Sequence, residues 1–198
     1  GLSALGLVAA LLSTGCDVDV DQVDGSKTPA PTTPDFQDGQ GQAPAARSAY
    51  PTGPFGLKVG SIAPNYQFFG YPNAVADKSD LVKMQLADFY NPTGEGTFPE
   101  GSPYGAGEPM PKALVIDVAS VWCGPCNLEA KTELPKNYAK YQPMGGEILS
   151  VLADGGTPGK PASPTNLKNW ATKYASNYPT AIDPSYSLGA LFVQDAFA

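Results

Sequence analysis

The chain carries the tetrad Cys123-Gly124-Pro125-Cys126 at a junction between two stretches of different periodicity. Before it, residues 113–121 read ALVIDVASV, a nearly continuous, β-branched run. Such a run predicts a strand buried on both faces. After it, Ala130, Leu134, Tyr138 and Tyr141 recur at helical spacing with Lys and Glu between them, which predicts an amphipathic helix. Pro135 is expected to kink or break it. A C-x-x-C at a strand-to-helix junction sets Cys123 at the helix N-terminus. Backbone N–H groups and the helix dipole favour a thiolate there, and thiolate is the nucleophile of disulfide exchange. Two intervening residues bring Cys126 within reach of the first sulfur and are expected to bury it one turn down. The division of labour follows: Cys123 attacks a partner disulfide, and Cys126 resolves the mixed disulfide.

The remaining composition narrows the chemistry. The 198 residues contain no His, which removes Cys–His nucleophile pairs, Ser–His–Asp triads and His-ligated metals. Twelve Lys and Arg against 19 Asp and Glu give a net charge of -7, so nucleic acid is not an expected partner. Cys126 needs a proton acceptor, and Asp117 is the candidate. It is the charged residue inside the apolar run, where a carboxylate is costly without a role or partner. A raised pKa would suit it to take the proton, through a water. The bland alternative is a carboxylate paired with a nearby Lys.

Further along, residues 147–153 (EILSVLA) predict a second buried strand, and Thr180–Asp183 a third. Ser163 caps a helix with Pro164 at its first position, and Leu167, Trp170, Ala171 and Tyr174 form its apolar stripe. Ser185 to Phe192 reads as one or two more helical turns. Strand, helix, strand, helix, strand implies an α/β fold with parallel strands and helices on both faces. Tyr66 and Phe68 alternate as in a strand with one buried face. Residues 91–111 hold five Gly and five Pro and predict a long loop.

The N-terminal part has a different character. Residues 1–15, GLSALGLVAALLSTG, are uncharged and mostly apolar, the length of a signal-peptide core and short for a membrane span. Leu12-Ser13-Thr14-Gly15-Cys16 resembles a bacterial lipobox, although its leucine lies four residues before the cysteine rather than three. The resemblance implies cleavage before Cys16 and acylation of its thiol, anchoring the chain to a bilayer on the periplasmic side of the envelope. Residues 16–56 hold 5 Gly and 6 Pro beside six Asp, with almost no apolar periodicity. This segment reads as a flexible acidic tether with a reach of roughly 35 Å. The folded domain is then 57–198.

The motif also carries a family resemblance. Trp122-Cys123-Gly124-Pro125-Cys126 stands as it does in thioredoxin, and Asp117 holds the spacing of that family's buried acid. KVGSIAPNYQFFGY (residues 58–71) resembles the opening of the redoxin branch, with its TlpA-like and ResA-like membrane-bound reductases and AhpC/TSA peroxiredoxins. YPTAIDPSYSLGALFV (178–193) resembles that branch's stretch before its cis-proline. The resemblance implies a three-layer thioredoxin-like domain without a cofactor. Its site would be Cys123, Cys126, Asp117, Trp122, Gly124 and Pro125. Protein disulfides would be its substrates, a membrane component its electron donor, and cytochrome c maturation or disulfide repair its task. Pro135 lies farther from Cys126 than the family's helix proline. The cis-proline is expected just beyond Ala198, with the last two strands and last helix after it. The sequence is thus expected to be incomplete at both ends, leaving the 113–120 strand with an open edge.

Other chemistries fit less well. Zinc lacks four ligands. A purely structural C-x-x-C disulfide would constrain the unfolded chain little. A thiol peroxidase finds Ser120 three residues before Cys123, but Ile116 where its proline belongs. The only Arg, Arg47, lies in the tether. A copper-binding lipoprotein has soft thiolates but no His as third ligand.

Overall fold

The protein is seen in a computed structural model that describes residues 49–192 apart from Leu57 and Ser79. Cys16, the stretch read as a signal segment, most of the stretch read as a tether and residues 193–198 lie outside the described residues.

Five strands form one sheet: β1 (Gln67–Tyr71), β2 (Val82–Gln85), β3 (Ala113–Ser120), β4 (Gly146–Asp154) and β5 (Thr180–Ile182). Their spatial order is β2-β1-β5-β4-β3. β3, β4 and β5 run parallel, joined by α1 (Gly124–Tyr141) and α2 (Pro164–Tyr174), while β1 is antiparallel to both β2 and β5. This is the α/β, thioredoxin-like arrangement expected, with the cysteine pair at the C-terminal end of a parallel strand.

Three expectations take a different form. The two α-helices lie on one face, because both crossovers step the same way across the sheet and share a hand. Ala130 and Leu134 of α1 and Leu167, Trp170 and Ala171 of α2 join a single core with Ile148, Leu152 and Ile182. The opposite face is covered by short 3-10 segments, Leu86–Phe89 and Ser187–Phe192, packed on Phe68, Met84, Leu149 and Val151. Secondly, β3 is mostly half-buried rather than buried on both faces; β4 is buried as expected, and β3 stands at the sheet's edge among the described residues, with the open edge expected of it. Thirdly, α1 runs unbroken through Pro135. The missing N–H removes one helical bond, but Ala130, Leu134 and Tyr138 hold turns on either side of it to the sheet. Burying a side chain such as Leu134 or Leu167 contributes about 1.5–3 kcal/mol each.

The local signals for α2 act as read. Ser163 Oγ accepts from Asn166 N at 3.2 Å and Asn166 Oδ1 accepts from Ser163 N at 3.0 Å, a reciprocal cap. α1 ends through a short 3-10 turn, Gln142–Met144, into Gly145 at φ 89, a backbone region that glycine adopts without strain. In β1, Gly70 faces Ala181, and a Cβ there would lie 2.1 Å from the Thr180 carbonyl oxygen. Only glycine lets the two strands approach.

The end of the stretch read as tether packs on the domain. Tyr50 donates to the Ala63 carbonyl at 2.9 Å and meets Tyr90 edge-on at 5.3 Å. The 91–111 loop is also folded. Phe98 and Glu108 pair through their backbones at 2.8 Å, and Asn91 Nδ2 donates to the Met110 and Pro111 carbonyls at 3.1 Å.

Candidate redox site

β3 delivers the chain to Cys123 through a tight turn in which Cys123 N donates to Ser120 O at 3.0 Å. Cys123 is then the N-cap of α1, with Gly124 and Pro125 exposed in the first turn. The two cysteines are joined as a disulfide, with Cα atoms 5.3 Å apart. Cys126 N donates to Cys123 Sγ at 3.3 Å, and no acidic residue lies in the first helical turn. When the pair is reduced, the N–H and the dipole both act on the Cys123 sulfur and favour its thiolate.

The expected burial of the two sulfur-bearing residues is reversed. Cys123 is 8% exposed, whereas Cys126 is half-buried. Cys123 is confined by the turn and by Asn127, whose Nδ2 donates to the Cys123 and Val121 carbonyls at 2.7 and 2.9 Å. Cys126 sits at the margin of the helix-side core instead.

Beneath the helix, Asp117 shares a strand face with Val115 and Ala119, the face that α1 covers. Its Oδ2 accepts from Ser150 Oγ across the β3–β4 pair at 2.7 Å. Desolvation raises the Asp117 pKa, and the Ser150 hydrogen bond pulls it back only in part. No Lys pairs with it among the described residues. Glu129, three residues after Cys126 on α1, is also raised, first by burial and then by the Asp117 charge. The fully buried Tyr178 is pushed up to about 12 by desolvation, with the Asp117 and Glu129 charges adding to it. Asp117, Glu129 and Tyr178 thus form a group of acids with raised pKa under α1.

Trp122 is held by a second carboxylate. Asp154 is 8% exposed and accepts from Trp122 Nε1 at 2.9 Å, Tyr186 Oη at 2.5 Å and Gly159 N at 3.1 Å. Burial pushes its pKa up, but the Tyr186, Trp122 and Gly159 hydrogen bonds outweigh that and hold it below the usual carboxylate range. A register shift between Ala119 and Ser120 sets Asp154 opposite Ser120, an irregularity of the kind that re-aims a side chain beside a site.

No family model matches the chain, and none of the curated proteins does. Six chains of solved structures match. One is assigned as the thiol:disulfide interchange protein DsbE of Chlorobium tepidum. It is 21% identical, over 64% of this chain and 67% of that one, with a TM-score of 0.39. A superposition that loose carries nothing about activity.

The structure brings Cys123, Cys126, Trp122, Gly124 and Pro125 together, with Asp117 under the same helix. Glu129, Asn127, Ser150 and Asp154 were not singled out from sequence. Glu129 had a usable signal, its position one turn beyond Cys126. Asp154 and Ser150 depend on strand register. Among the described residues no three His, Cys, Asp or Glu side chains are grouped so as to hold a metal ion, and no helix is long and apolar enough to cross a membrane.

Proposed function

We propose that the chain is a thiol–disulfide oxidoreductase that reduces disulfides in proteins. The observation that carries this is the Cys123–Cys126 disulfide at the N-cap of α1, above carboxyl groups with raised pKa. In the reduced form the Cys123 thiolate attacks a client disulfide. A mixed disulfide forms and one client thiolate leaves. Cys126 gives its proton to Asp117, through a water, and attacks Cys123 Sγ, releasing the second client thiolate. Two electrons pass to the client, whose two thiolates then take up protons from Asp117 and from water, and the Cys123–Cys126 disulfide returns. A dithiol donor in the membrane then reduces it.

We place this activity outside the cytoplasm. Acylated Cys16 is the anchor and the acidic segment after it the spacer, as the lipobox-like residues 12–16 support. Cytochrome c maturation and repair of mispaired disulfides are the tasks that suit a Gly-Pro pair of reducing character.

Trapping tests the assignment. A Cys126→Ser variant should accumulate a mixed disulfide with an oxidised protein client through Cys123, and Cys123→Ser should not. Trapping by Cys123→Ser alone would reverse the roles. Trapping by neither would remove the proposed activity.

A further inference from the structure

At the far end of α1 lies a cleft of about 270 Å³. Tyr138 on its wall is twelve residues past Cys126, about 18 Å along the helix, so the cleft is separate from the redox pair. Its lining includes Glu147, Tyr138, Tyr104, Phe98, Asn177 and Pro179. The aromatic walls are fixed. Phe98 stacks on Tyr104 at 5.3 Å, Tyr104 Oη donates to Asp88 Oδ2 at 3.1 Å, and Tyr138 meets Tyr178 edge-on at 5.5 Å. The folded 91–111 loop supplies Phe98 and Tyr104, which gives that excursion a role.

Glu147 is the carboxylate in this lining. Its Oε1 accepts from Ile148 N at 2.8 Å, and it has no ion-pair partner among the described residues. Burial pushes its pKa up to about 7, with the Ile148 hydrogen bond acting against that. A half-buried carboxylate without a counter-charge disfavours an anion and leaves a neutral apolar guest beside an uncompensated charge. A Ca²⁺ or Mg²⁺ ion calls for more oxygen ligands than one carboxylate provides. An organic ammonium satisfies both parts of the cleft: its charge pairs with Glu147, and its weakly hydrated alkyl part lies against aromatic faces. The volume falls below that of clefts for drug-sized ligands, so the guest is small. The chain's net charge of -7 favours the approach of a cation.

We propose that this cleft binds an organic ammonium group, with Glu147 as counter-charge and Tyr138 and Tyr104 as walls. The group is carried either by a free alkylamine or by a lysine side chain of a polypeptide.

The test titrates the full-length oxidised chain, followed by amide NMR shifts. The probes are n-butylammonium chloride, the blocked peptide acetyl-Gly-Lys-Gly-amide, n-butanol and sodium chloride. At least one of the first two should give saturable shifts centred on Tyr104, Tyr138 and Glu147, while butanol and sodium chloride at equal concentration do not. Glu147→Gln should weaken that binding about tenfold, the loss of one charge-assisted contact. Butylammonium alone would identify a free amine as the source; saturation by the peptide at similar concentration would identify a lysine side chain. Either upholds the site. An equal response to butanol, no saturation by either cation, or unchanged binding in Glu147→Gln would overturn it. If Glu147→Gln does not fold, judged by its thermal melt, Tyr138→Leu takes its place, and unchanged binding there overturns the proposal equally.

Discussion

Replacing Asp154 with Ala removes the acceptor that ties three segments together beside the cysteine pair. Trp122, Gly159 and Tyr186 each lose a hydrogen bond to a carboxylate. Bonds to charged groups contribute about 1.5–3 kcal/mol each when their partners stay buried. Here the released donors regain water in part, since Tyr186 is 41% exposed and Gly159 is exposed. The net loss is therefore discounted to about 2–3 kcal/mol at pH 7, a fall in melting temperature of roughly 8 °C for a domain of this size. Asp154→Asn keeps one acceptor oxygen and should lose about half as much. Urea unfolding followed by far-UV circular dichroism and Trp fluorescence reads both variants. The pH dependence has a definite sign. The Asp154 pKa is held low, so its contribution is complete above the unfolded carboxyl range and is lost as pH falls through the folded value. Wild type and Asp154→Ala should converge in acid. A difference below about 0.5 kcal/mol at pH 7, or one that does not shrink in acid, would refute this account of Trp122 positioning.

Three further outcomes follow from the same geometry. Asp117→Asn should slow resolution of the mixed disulfide by about 10²-fold or more, the usual contribution of a positioned general base, and remove the rise of that rate with pH; stopped-flow quenching of the mixed disulfide measures it. Burial raises the Glu147 pKa to about 7. The unfolded chain therefore gives up this proton first, and wild-type stability should fall as pH rises from the ordinary carboxyl range towards 7. Glu147→Gln should flatten that slope in urea titrations. Leu134, 4% exposed under α1, should cost about 2–5 kcal/mol on replacement with Ala, read by chemical denaturation.

The parts legible in the sequence are those set by local chemistry. The β3 run, the C-x-x-C at the start of α1, the Ser163 cap of α2 and the apolar run of β4 each announce themselves within a dozen residues. Burial of β3 is less legible, because an apolar run encodes cover on its faces but not which neighbour pairs along its edge. The placement of both helices on one face depends on the direction of two crossovers, which no single segment records. The continuity of α1 through Pro135 depends on packing against the sheet, which local propensity does not contain. At the site, C-x-x-C spacing showed the two cysteines together, yet their relative burial follows from the Ser120–Cys123 turn and from Asn127. Asp154 was invisible because a register shift of one residue decides what it faces.

The most direct measurement is the reduction potential of the Cys123–Cys126 pair, obtained by equilibrating the full-length chain against glutathione and dithiothreitol buffers. A two-electron equilibrium with a midpoint near or below about -250 mV, in the range of thioredoxin, is the expected result. A midpoint above about -150 mV would contradict it, making the pair a disulfide-forming oxidant and removing Asp117 from its proposed part in resolving a reductase intermediate.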